Sequence, residues 1–386
     1  MSKNIVICCD GTANEFAANI TNVLKLYSVL TYQPGLQITF YHPGLGTMEP
    51  AGALTSLARK LTKLSGMAFG YGLADDIRDA YVFLMKNYEP DDRIFLFGFS
   101  RGAYTVRAVC SLLKLYGLIR KDNESLVPYA TRLLMGIERG EADQAAVAQY
   151  FKLADGFRST LAADCKPWFV GVWDTVSSVG WVENPLKLPY VANNPDIQIG
   201  RHAVSIDEKR AFFRNNLWRE PSDGSDRGPR DLKQVWFVGD HSDVGGGYAE
   251  AESGLSKIAL EWMVCEAVIA GLKVNQNKVK EVLGRSGSGQ AAPNPNARKH
   301  ESLAGWWHLA ELVPKKHYDW ASGKTSRRMN FWRRRTIPPK SLIHASAFQR
   351  AKYPVKFPPD CIQVSTSCSE AENAENSARQ PEGSGD

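Results

Sequence analysis

A serine between two glycines is the residue in this chain best placed to act as a nucleophile. Gly98-Phe99-Ser100-Arg101-Gly102 follows the apolar run "RIFLFG" and leads directly into "GAYTVRAVCSLLKLYG". The first run predicts a buried strand and the second a helix, so the serine falls on a sharp turn between them. In such a nucleophile elbow the glycines let strand and helix approach closely, and the serine hydroxyl is exposed. The predicted chemistry is attack of Ser100 on a carbonyl carbon, with the amide of Arg101 at the helix N-terminus facing the developing oxyanion.

A serine hydroxyl needs a base to remove its proton and an acid to orient that base. Two later apolar runs end in suitable groups: "FVGVWDTVSSVG" reaches Asp174 and "VWFVGDHSDVGGGY" reaches His241. Both residues follow predicted strands, and open parallel sheets place their sites at the carboxyl ends of strands. We therefore predict Ser100 as the nucleophile, His241 as the base and Asp174 as the orienting acid.

Three other residues compete for the roles of base and acid. His202 lies between Asp174 and His241 in the chain and ranks second as base. Its segment, "IGRHAVSIDEKRAFF", is predicted to be helical, a setting that favours packing over a strand-end loop. Asp240 and Asp243 flank His241, and either could replace Asp174 as its partner. The sequence leaves these alternatives open.

The loop after the first predicted strand is the expected source of a second oxyanion donor. "CCDGTANE" places the backbone amides of Gly11 and Thr12 directly after the run "NIVICC". Asp10 precedes them, and a carboxylate beside an oxyanion opposes its formation unless loop amides or a cation bind the charge. We therefore expect Asp10 to hold this loop rather than to act on a substrate.

The elements that must position these residues alternate along the first 275 residues. Strands are predicted for the short apolar runs "NIVICC", "LQITFYHPG", "RIFLFG", "WFVGVWDTV" and "VWFVGD". Helices are predicted between them, as in "ADDIRDAYVFLMKNY", where Ile77, Tyr81, Leu84 and Met85 share one face. This alternation is typical of an α/β fold with a mostly parallel central sheet flanked by helices.

Changes in composition divide the chain into three predicted parts. Residues 1–284 are predicted to form the catalytic domain, with a helical insertion of the lid or cap type at about 118–165. The loop "GRSGSGQAAPNPNARKH" then leads into a basic, aromatic C-terminal extension over 285–362, expected to pack on or beside that domain. Residues 363–386 are rich in Ser and Glu and are predicted to be a disordered acidic tail.

The net charge of +6 conceals a regional asymmetry. Between Arg298 and Lys352 there are thirteen Lys or Arg residues and three acids. In "HYDWASGKTSRRMNFWRRRT" the tryptophans and arginines suit a membrane surface, because tryptophan settles at the headgroup level and arginine attracts anionic lipid. The same pattern also describes a solvated basic face with buried aromatic residues. A nucleic-acid partner is not expected, because the basic character is confined to one region and no nucleic-acid motif occurs.

The lengths of the apolar runs and the spacing of the cysteines indicate the cellular compartment in which the protein is expected. No apolar run reaches the roughly 18–20 residues of a membrane span, and "IVICCDGT" is too short in its apolar part for a signal peptide. The seven cysteines show no metal-ligand or disulfide spacing and suit a reducing compartment. We expect a protein that is cytoplasmic or exported without a signal peptide, with no cofactor and no metal.

Seven segments of the chain together resemble one α/β-hydrolase family. They are "DGTANE", "TNVLKLY", "FYHPGLGT", "YGLADDIRDAYVFLMKNYEPDDRIFLFGFSRGAYTVRAV", "VWDTVSSVG", "HAVSIDEKR" and "VWFVGDHSDVGGGY", in the order seen in that family. The family was first catalogued as a domain of unknown function and is typified by the phospholipase effectors of the bacterial type VI secretion system. The resemblance covers roughly residues 3 to 275. It implies the α/β-hydrolase fold and ester hydrolysis by a triad carried here by Ser100, Asp174 and His241.

The function expected from this resemblance is hydrolysis of carboxylic esters in acyl lipids or phospholipids through an acyl-enzyme. The alternative is an esterase, thioesterase or amidase that acts on a soluble small substrate. A third hypothesis, in which the basic stretch binds nucleic acid and the serine is structural, would make three triad positions coincidental. Expected partners are an acyl lipid or small ester, a membrane surface reached through the basic aromatic segment, and a secretion or immunity partner.

Overall fold

The structure is a computed structural model whose centre is a parallel sheet with helices on both faces. The residues that it describes are 2–11, 20–44, 66–136, 144–176, 180–181, 184–185, 188–211, 213, 215–219, 228–287, 289–303, 308, 311–312, 314–319 and 324–366. Among these, no helix combines the length and the apolar character that crossing a membrane requires.

Eight strands form the central sheet, and all neighbouring pairs in it are parallel. In chain order the strands of the described residues are β1 (Asn4–Cys9), β2 (Gln37–His42), β3 (Arg93–Phe99), β4 (Leu118–Ile119), β5 (Ala162–Ala163), β6 (Pro167–Trp173), β7 (Gly180–Trp181), β8 (Asn184–Pro185), β9 (Ile199–Ser205), β10 (Asp231–Phe237), β11 (Lys315–Asp319), β12 (Lys324–Arg328), β13 (Leu342–His344) and β14 (Ile362–Val364). The order across the sheet is β2-β1-β3-β6-β9-β10-β13-β14. The pairs β4–β5, β7–β8 and β11–β12 are separate antiparallel hairpins or bridges.

Helices cover the sheet on its two faces. In chain order they are α1 (Asn22–Val29), α2 (Gly66–Asn87), α3 (Arg101–Tyr116), α4 (Val127–Met135), α5 (Gln144–Leu161), α6 (His241–Gly245), α7 (Gly254–Ile269), α8 (Gln276–Val282) and α9 (Ser346–Gln349), with 3-10 turns at Glu124–Leu126 and Glu250–Glu252. Helices α2 and α3 pack on one face and α1 and α7 on the other. The predicted apolar face of α2 is confirmed, since Ile77, Tyr81, Leu84 and Met85 are all buried.

Strand β1 shows why the apolar runs are nearly continuous. Ile5 and Ile7 point into the core beneath α2 and α3, whereas Val6 and Cys8 point into the core beneath α1 and α7. All four side chains have no exposed surface. A parallel sheet buried on both faces requires apolar residues at consecutive positions. The predicted α/β fold with a mostly parallel sheet is confirmed.

The chain order of the strands reverses between β1 and β3. From β1 the chain goes outward to β2, and from β3 it continues in the other direction through β6, β9 and β10. At such a switch point the loops after the two neighbouring strands separate and leave a crevice at their carboxyl ends. Gly11 follows β1 at this crevice, and Ser100 follows β3.

The segment around His202 is a strand and not the predicted helix. Residues Ile199–Ser205 form β9, which pairs with β6 on one side and β10 on the other. Its polar residues suggested a helix, but within the sheet they have side-chain partners: the buried Arg201 bonds to Asp231 and Glu266. Long-range pairing in the middle of the sheet therefore outweighs the local pattern.

The helical insertion predicted at about 118–165 contains α4 and α5. Several of its contacts lie at the end of α3 remote from Ser100: the hydroxyls of Tyr150 and Tyr116 are 2.5 Å apart, and Phe157 packs against Tyr116. With 16 residues, α3 is about 24 Å long. These contacts anchor the insertion near the opposite edge of the sheet from Ser100. The lid or cap role of the insertion stays a prediction.

The segment after residue 284 adds strands to the central sheet. Strand β13 pairs with β10, and β14 pairs with β13 at the edge. The catalytic domain was predicted to end at 284 and the extension at 362, whereas the sheet itself continues to Val364. Among the cysteines, Cys8, Cys9, Cys110 and Cys165 are buried free thiols. Cys265 is disulfide-bonded, which the spacing did not predict.

Candidate active site

Ser100 occupies a strained turn between β3 and α3. Its backbone has φ 58° and ψ −118°, a conformation that residues with a side chain rarely adopt. The flanking glycines allow this turn because a Cβ on Gly98 would lie 2.5 Å from the carbonyl oxygen of Gly102. A Cβ on Gly102 would lie 2.1 Å from the carbonyl oxygen of Cys9. The two glycines therefore let α3 pack directly against β3 and β1, and the predicted elbow geometry is present.

The structure brings the side chains of Ser100, His241 and Asp174 into one hydrogen-bonded row. Ser100 Oγ lies 2.8 Å from His241 Nε2, and His241 Nδ1 lies 2.6 Å from Asp174 Oδ2. Asp174 and His241 are buried, and Ser100 is half-buried at the crevice. The imidazole can thus accept the serine proton on one nitrogen while its other N–H donates to the carboxylate.

Three strand ends supply these side chains. Asp174 follows β6 with φ 39°, and its backbone amide donates to the carbonyl of Ala203 on β9 at 2.7 Å. His241 is the first residue of the short helix α6, four residues beyond the end of β10. Its backbone amide donates to Glu208 Oε2 at 3.2 Å. Glu208 was not identified from the sequence, because an acid two residues before Arg210, with which it pairs, is not a distinguishing signal.

The two aspartates that flank His241 cap its helix. Asp240 Oδ1 accepts from the amides of Ser242 and Asp243, and the amide of Asp240 donates to Asp243 Oδ2. Asp243 Oδ1 also pairs with His300 Nδ1 at 2.7 Å. Burial and the neighbouring Asp240 carboxylate raise the pKa of Asp243 to about 6. Among the described contacts, Asp174 is therefore the carboxylate that accepts from the His241 ring.

Asp174 also binds an arginine from the C-terminal extension. Arg335 Nη1 lies 2.5 Å from Asp174 Oδ1, and Arg335 Nη2 lies 3.1 Å from Asp174 Oδ2. Burial by itself would raise the pKa of Asp174, but the charge of Arg335 and the hydrogen bonds from His241 and Arg335 hold that pKa well below its usual range. The carboxylate is therefore ionised wherever the protein is folded at neutral pH. Arg335 carried no motif that could have identified it from sequence.

Two aromatic rings pack against the imidazole of His241. The ring centroids of Phe99 and Phe213 lie 4.6 Å and 4.9 Å from that of His241, the second in an edge-to-face arrangement. Gly245 leaves room for Phe99, because a Cβ there would lie 1.9 Å from the Phe99 ring. The two rings restrict the rotation of the imidazole. Phe213 was another residue that the sequence analysis missed.

The predicted oxyanion donors have different placements. Arg101 is the first residue of α3, so its amide lies at the positive end of the helix directly after Ser100. A Cβ on Gly11 would lie 3.4 Å from Ser100 Cβ, which places this loop beside the serine. The amide of Gly11, however, donates to Asp10 Oδ1 at 2.7 Å. Thr12 lies outside the described residues.

Asp10 holds the β1 loop. Besides the Gly11 amide, its carboxylate accepts from Thr21 Oγ1 at 2.5 Å and from Tyr41 Oη at 2.9 Å. These donors, from the loop itself, the N-cap of α1 and β2, bind the negative charge of the carboxylate and tie the loop to its neighbours. No described contact joins Asp10 to Ser100 or His241.

His202, the second-ranked base, is buried on β9. Its Nε2 accepts from the amide of Thr175 at 3.1 Å, and its Nδ1 lies 3.4 Å from Gln234 Oε1. Burial and the nearby charge of Arg107 lower the pKa of His202 to about 3, so the ring is neutral. Its described contacts are structural, and none of them is with Ser100.

The family of the chain follows from a match over most of its length. The model of the family described as "T6SS, Phospholipase effector Tle1-like, catalytic domain" matches residues 3–266. The chain belongs to this family. The expected resemblance to type VI secretion phospholipase effectors is thereby confirmed.

Three proteins that are similar to this chain are longer than it is. The uncharacterized protein YEL023C of Saccharomyces cerevisiae is 27% identical, with 72% of this chain and 59% of that protein covered. A solved structure of an uncharacterized protein from Pseudomonas aeruginosa is 20% identical with TM-score 0.40, covering 72% of this chain and 47% of the other. The Tle1 effector bound to the VgrG spike is 19% identical with TM-score 0.33, covering 66% and 52%. The chain thus spans about half to three-fifths of the length of these proteins.

Proposed function

We propose that this chain is a serine-dependent hydrolase of carboxylic esters in acyl lipids, with phospholipids as the main substrate class. The observation that carries the proposal is the hydrogen-bonded row from Ser100 Oγ through His241 to Asp174. It lies at the switch-point crevice of a chain that belongs to a phospholipase effector family. The roles proposed are nucleophile for Ser100, general base and acid for His241, and orienting carboxylate for Asp174.

In the first half-reaction Ser100 Oγ bonds to the ester carbonyl carbon while His241 Nε2 takes its proton. The carbonyl oxygen becomes an oxyanion at the N-terminus of α3, where the amide of Arg101 stabilises it. The tetrahedral intermediate then expels the alcohol, which leaves with the proton from His241. The product is an acyl group esterified to Ser100.

In the second half-reaction water replaces the alcohol. His241 takes a proton from the water, whose oxygen attacks the acyl carbon, and the fatty acid leaves as Ser100 Oγ regains a proton from Nε2. Throughout, the Asp174 carboxylate holds the imidazole tautomer in which Nδ1 carries hydrogen and stabilises the imidazolium. The buried, ionised state of Asp174 supports this role.

A lipid surface is the proposed setting of this chemistry. Phe331 and Trp332 lie in a turn of the extension in which both have positive φ and nearly half of each side chain is exposed. Arg333 follows them and is also exposed. Adjacent exposed aromatic and cationic side chains suit insertion at an anionic headgroup layer. Arg334 and Arg335, by contrast, are turned toward Asp207 and Asp174.

The decisive experiment removes the proposed nucleophile. Ser100→Ala should lower kcat for ester hydrolysis by roughly 10³-fold or more, because the attacking oxygen is absent. A fluorophosphonate probe should label the wild-type peptide that contains Ser100 and leave the variant unlabelled. The matched control is Ser159→Ala, which removes an exposed serine hydroxyl on α5. Equal hydrolysis by wild type and Ser100→Ala would falsify the proposal.

The substrate class is tested separately with esters of increasing acyl length and with phospholipid vesicles. Release of fatty acid from vesicles that depends on Ser100 supports the lipid assignment. Preference for short water-soluble esters, with no fatty acid released from vesicles, would instead identify the alternative, an esterase or thioesterase for a soluble substrate.

A further inference from the structure

The carboxylate of Asp174 is bound at both oxygens by a guanidinium that the catalytic motifs do not include. Oδ1 accepts from the Ser205 amide at 2.9 Å and from Arg335 Nη1 at 2.5 Å. Oδ2 accepts from His241 Nδ1 at 2.6 Å and from Arg335 Nη2 at 3.1 Å. Arg335 therefore spans the carboxylate as a fork, a geometry that fixes its plane as well as its charge.

Arg335 is itself held rigidly. Nη1 donates to Ser205 Oγ at 2.7 Å, Nε donates to the carbonyl oxygen of Phe213 at 3.1 Å, and Nη2 contacts that same carbonyl. With Asp174, these acceptors are enough for all five N–H donors of a guanidinium. Only 7% of the side chain is exposed. A guanidinium with this many fixed partners cannot follow a rotating carboxylate, so it prevents the rotation.

We infer that Arg335 is a positioning residue of the reaction, which holds the Asp174 carboxylate in the orientation that accepts from His241. This inference rests on the proposed function. Arg335 lies outside residues 3–266, the part of the chain that matches the family model. The basic extension therefore supplies a residue that holds the His241–Asp174 pair, and Arg335 belongs to the site.

Two effects of Arg335 on the His241–Asp174 pair can be separated by experiment. The fork restricts the carboxylate, which favours a correctly aimed imidazole and thus a high kcat. The positive charge also opposes protonation of the pair, so its removal moves the acid limb of the rate profile to higher pH. The other charged or titratable groups around the guanidinium are His202 and the carboxylate of Glu208, which is paired with Arg210. Arg335 also lowers the pKa of both groups, but the burial of His202 and the pairing of Glu208 with Arg210 remain after a substitution at position 335.

The test compares Arg335→Gln, Arg335→Lys and the control Lys340→Gln in the full chain, with a soluble chromogenic ester as substrate. Lys340 is an exposed cation of the same extension, so the control matches the change in charge. Arg335→Gln should lower kcat by about 10–100-fold, because a displacement of about 1 Å has effects of that size, with KM within about twofold. Its acid limb should move to higher pH by about one unit. Arg335→Lys should restore the acid limb but not kcat, since lysine keeps the charge and loses the fork.

Thermal unfolding and circular dichroism accompany each measurement. If Arg335→Gln does not fold, Arg335→Lys carries the test through the rate of fluorophosphonate labelling at Ser100, which should fall by a similar factor. Wild-type kcat and an unmoved acid limb in folded Arg335 variants overturn the inference while the proposed function stands. If the wild-type protein hydrolyses no ester and takes no label, the proposed function fails and this inference fails with it.

Discussion

The elbow at residues 98–102 and the arginine segment at residues 330–335 contribute to the same site in opposite ways. In the elbow, each residue acts locally, since the two glycines allow close packing and Ser100 takes the strained conformation. In the arginine segment, neighbours of similar type have different environments. Phe331, Trp332 and Arg333 are exposed, whereas Arg334 and Arg335 pair with buried aspartates.

The difference shows what kind of information each region carries. The elbow is built from backbone requirements between residues a few positions apart, so the residue types reveal it. The arginine segment is defined by where its side chains end, which depends on acids far away in the chain. Asp174 is 161 residues before Arg335. Consecutive arginines therefore look alike in the sequence, although in the folded protein one faces solvent and the next two face buried carboxylates.

Gly102→Ala should disrupt the turn at Ser100. Its combined effect on stability and kcat should exceed that of any substitution in the arginine segment. The new Cβ would meet the Cys9 carbonyl at 2.1 Å, so α3 must shift away from β1. We expect a loss of about 1–3 kcal/mol in the free energy of unfolding, and a loss of about 100-fold in kcat as Ser100 moves. Chemical denaturation and ester hydrolysis measure the two effects.

Gly156→Ala is the matched control for the elbow. Gly156 is an exposed residue of α5, and a Cβ there meets nothing within 4 Å. Alanine should therefore raise the free energy of unfolding by about 0.5–1 kcal/mol, from helix propensity alone. If Gly102→Ala behaves like Gly156→Ala, close packing at the elbow is not required.

The inward half of the arginine segment, Arg334 and Arg335, can be tested through the pH dependence of stability. Because the pKa of Asp174 is lowered in the folded state, its contribution to stability is present above the unfolded value of about 4 and is lost as the pH falls further. Arg335 is the largest cause that lowers this pKa. Between pH 6 and pH 3, Arg335→Gln should therefore lose less unfolding free energy than wild type does, by about 1 kcal/mol.

Urea denaturation at the two pH values measures this difference, and Lys340→Gln again serves as the control. The control should follow the wild-type dependence, because Lys340 is exposed and has no described contact with Asp174. Parallel curves for Arg335→Gln and wild type would contradict the electrostatic coupling between the extension and the site.

Substitutions in the outward half of the arginine segment, Phe331 to Arg333, should have the smallest effect of those considered. Replacing Phe331 and Trp332 together by alanine should weaken binding to anionic phospholipid vesicles by about 3–10-fold, since both side chains suit the headgroup layer. Vesicle co-sedimentation measures the binding. Tyr32→Ala is the control, because Tyr32 is an aromatic residue with 65% of its surface exposed in another part of the molecule. Equal weakening by Tyr32→Ala would show that the exposed tip has no special role.

Much of the fold was predictable because the sheet is buried on both faces. Apolar runs such as the one in β1 and the helical period of α2 reflect that burial directly. The failure at β9 has a physical cause: Arg201 and His202 interrupt its apolar run, and their partners, Asp231, Glu266, Thr175 and Gln234, are distant in sequence. Local patterns cannot show that a polar residue will be satisfied in the middle of a sheet.

The candidate site, like the fold, was predictable from the sequence in part. Ser100, Asp174 and His241 were each identified from a position at the end of a predicted strand, and the structure brings their side chains together. The sequence favoured Asp174 as the partner of His241 but did not exclude Asp240 or Asp243. That choice followed from the capping of α6, which engages Asp240 and Asp243.

The amino-acid sequence by itself determined the elbow, the alternation of strands and helices, and the strand ends where chemistry could occur. These features depend on backbone strain and on periodic burial, and both act over a few residues. Only the tertiary structure decided which carboxylate faces the imidazole and which arginine holds that carboxylate. Such contacts depend on the order of strands in the sheet and on the path of the C-terminal segment, because they join side chains that are 67 and 161 residues apart.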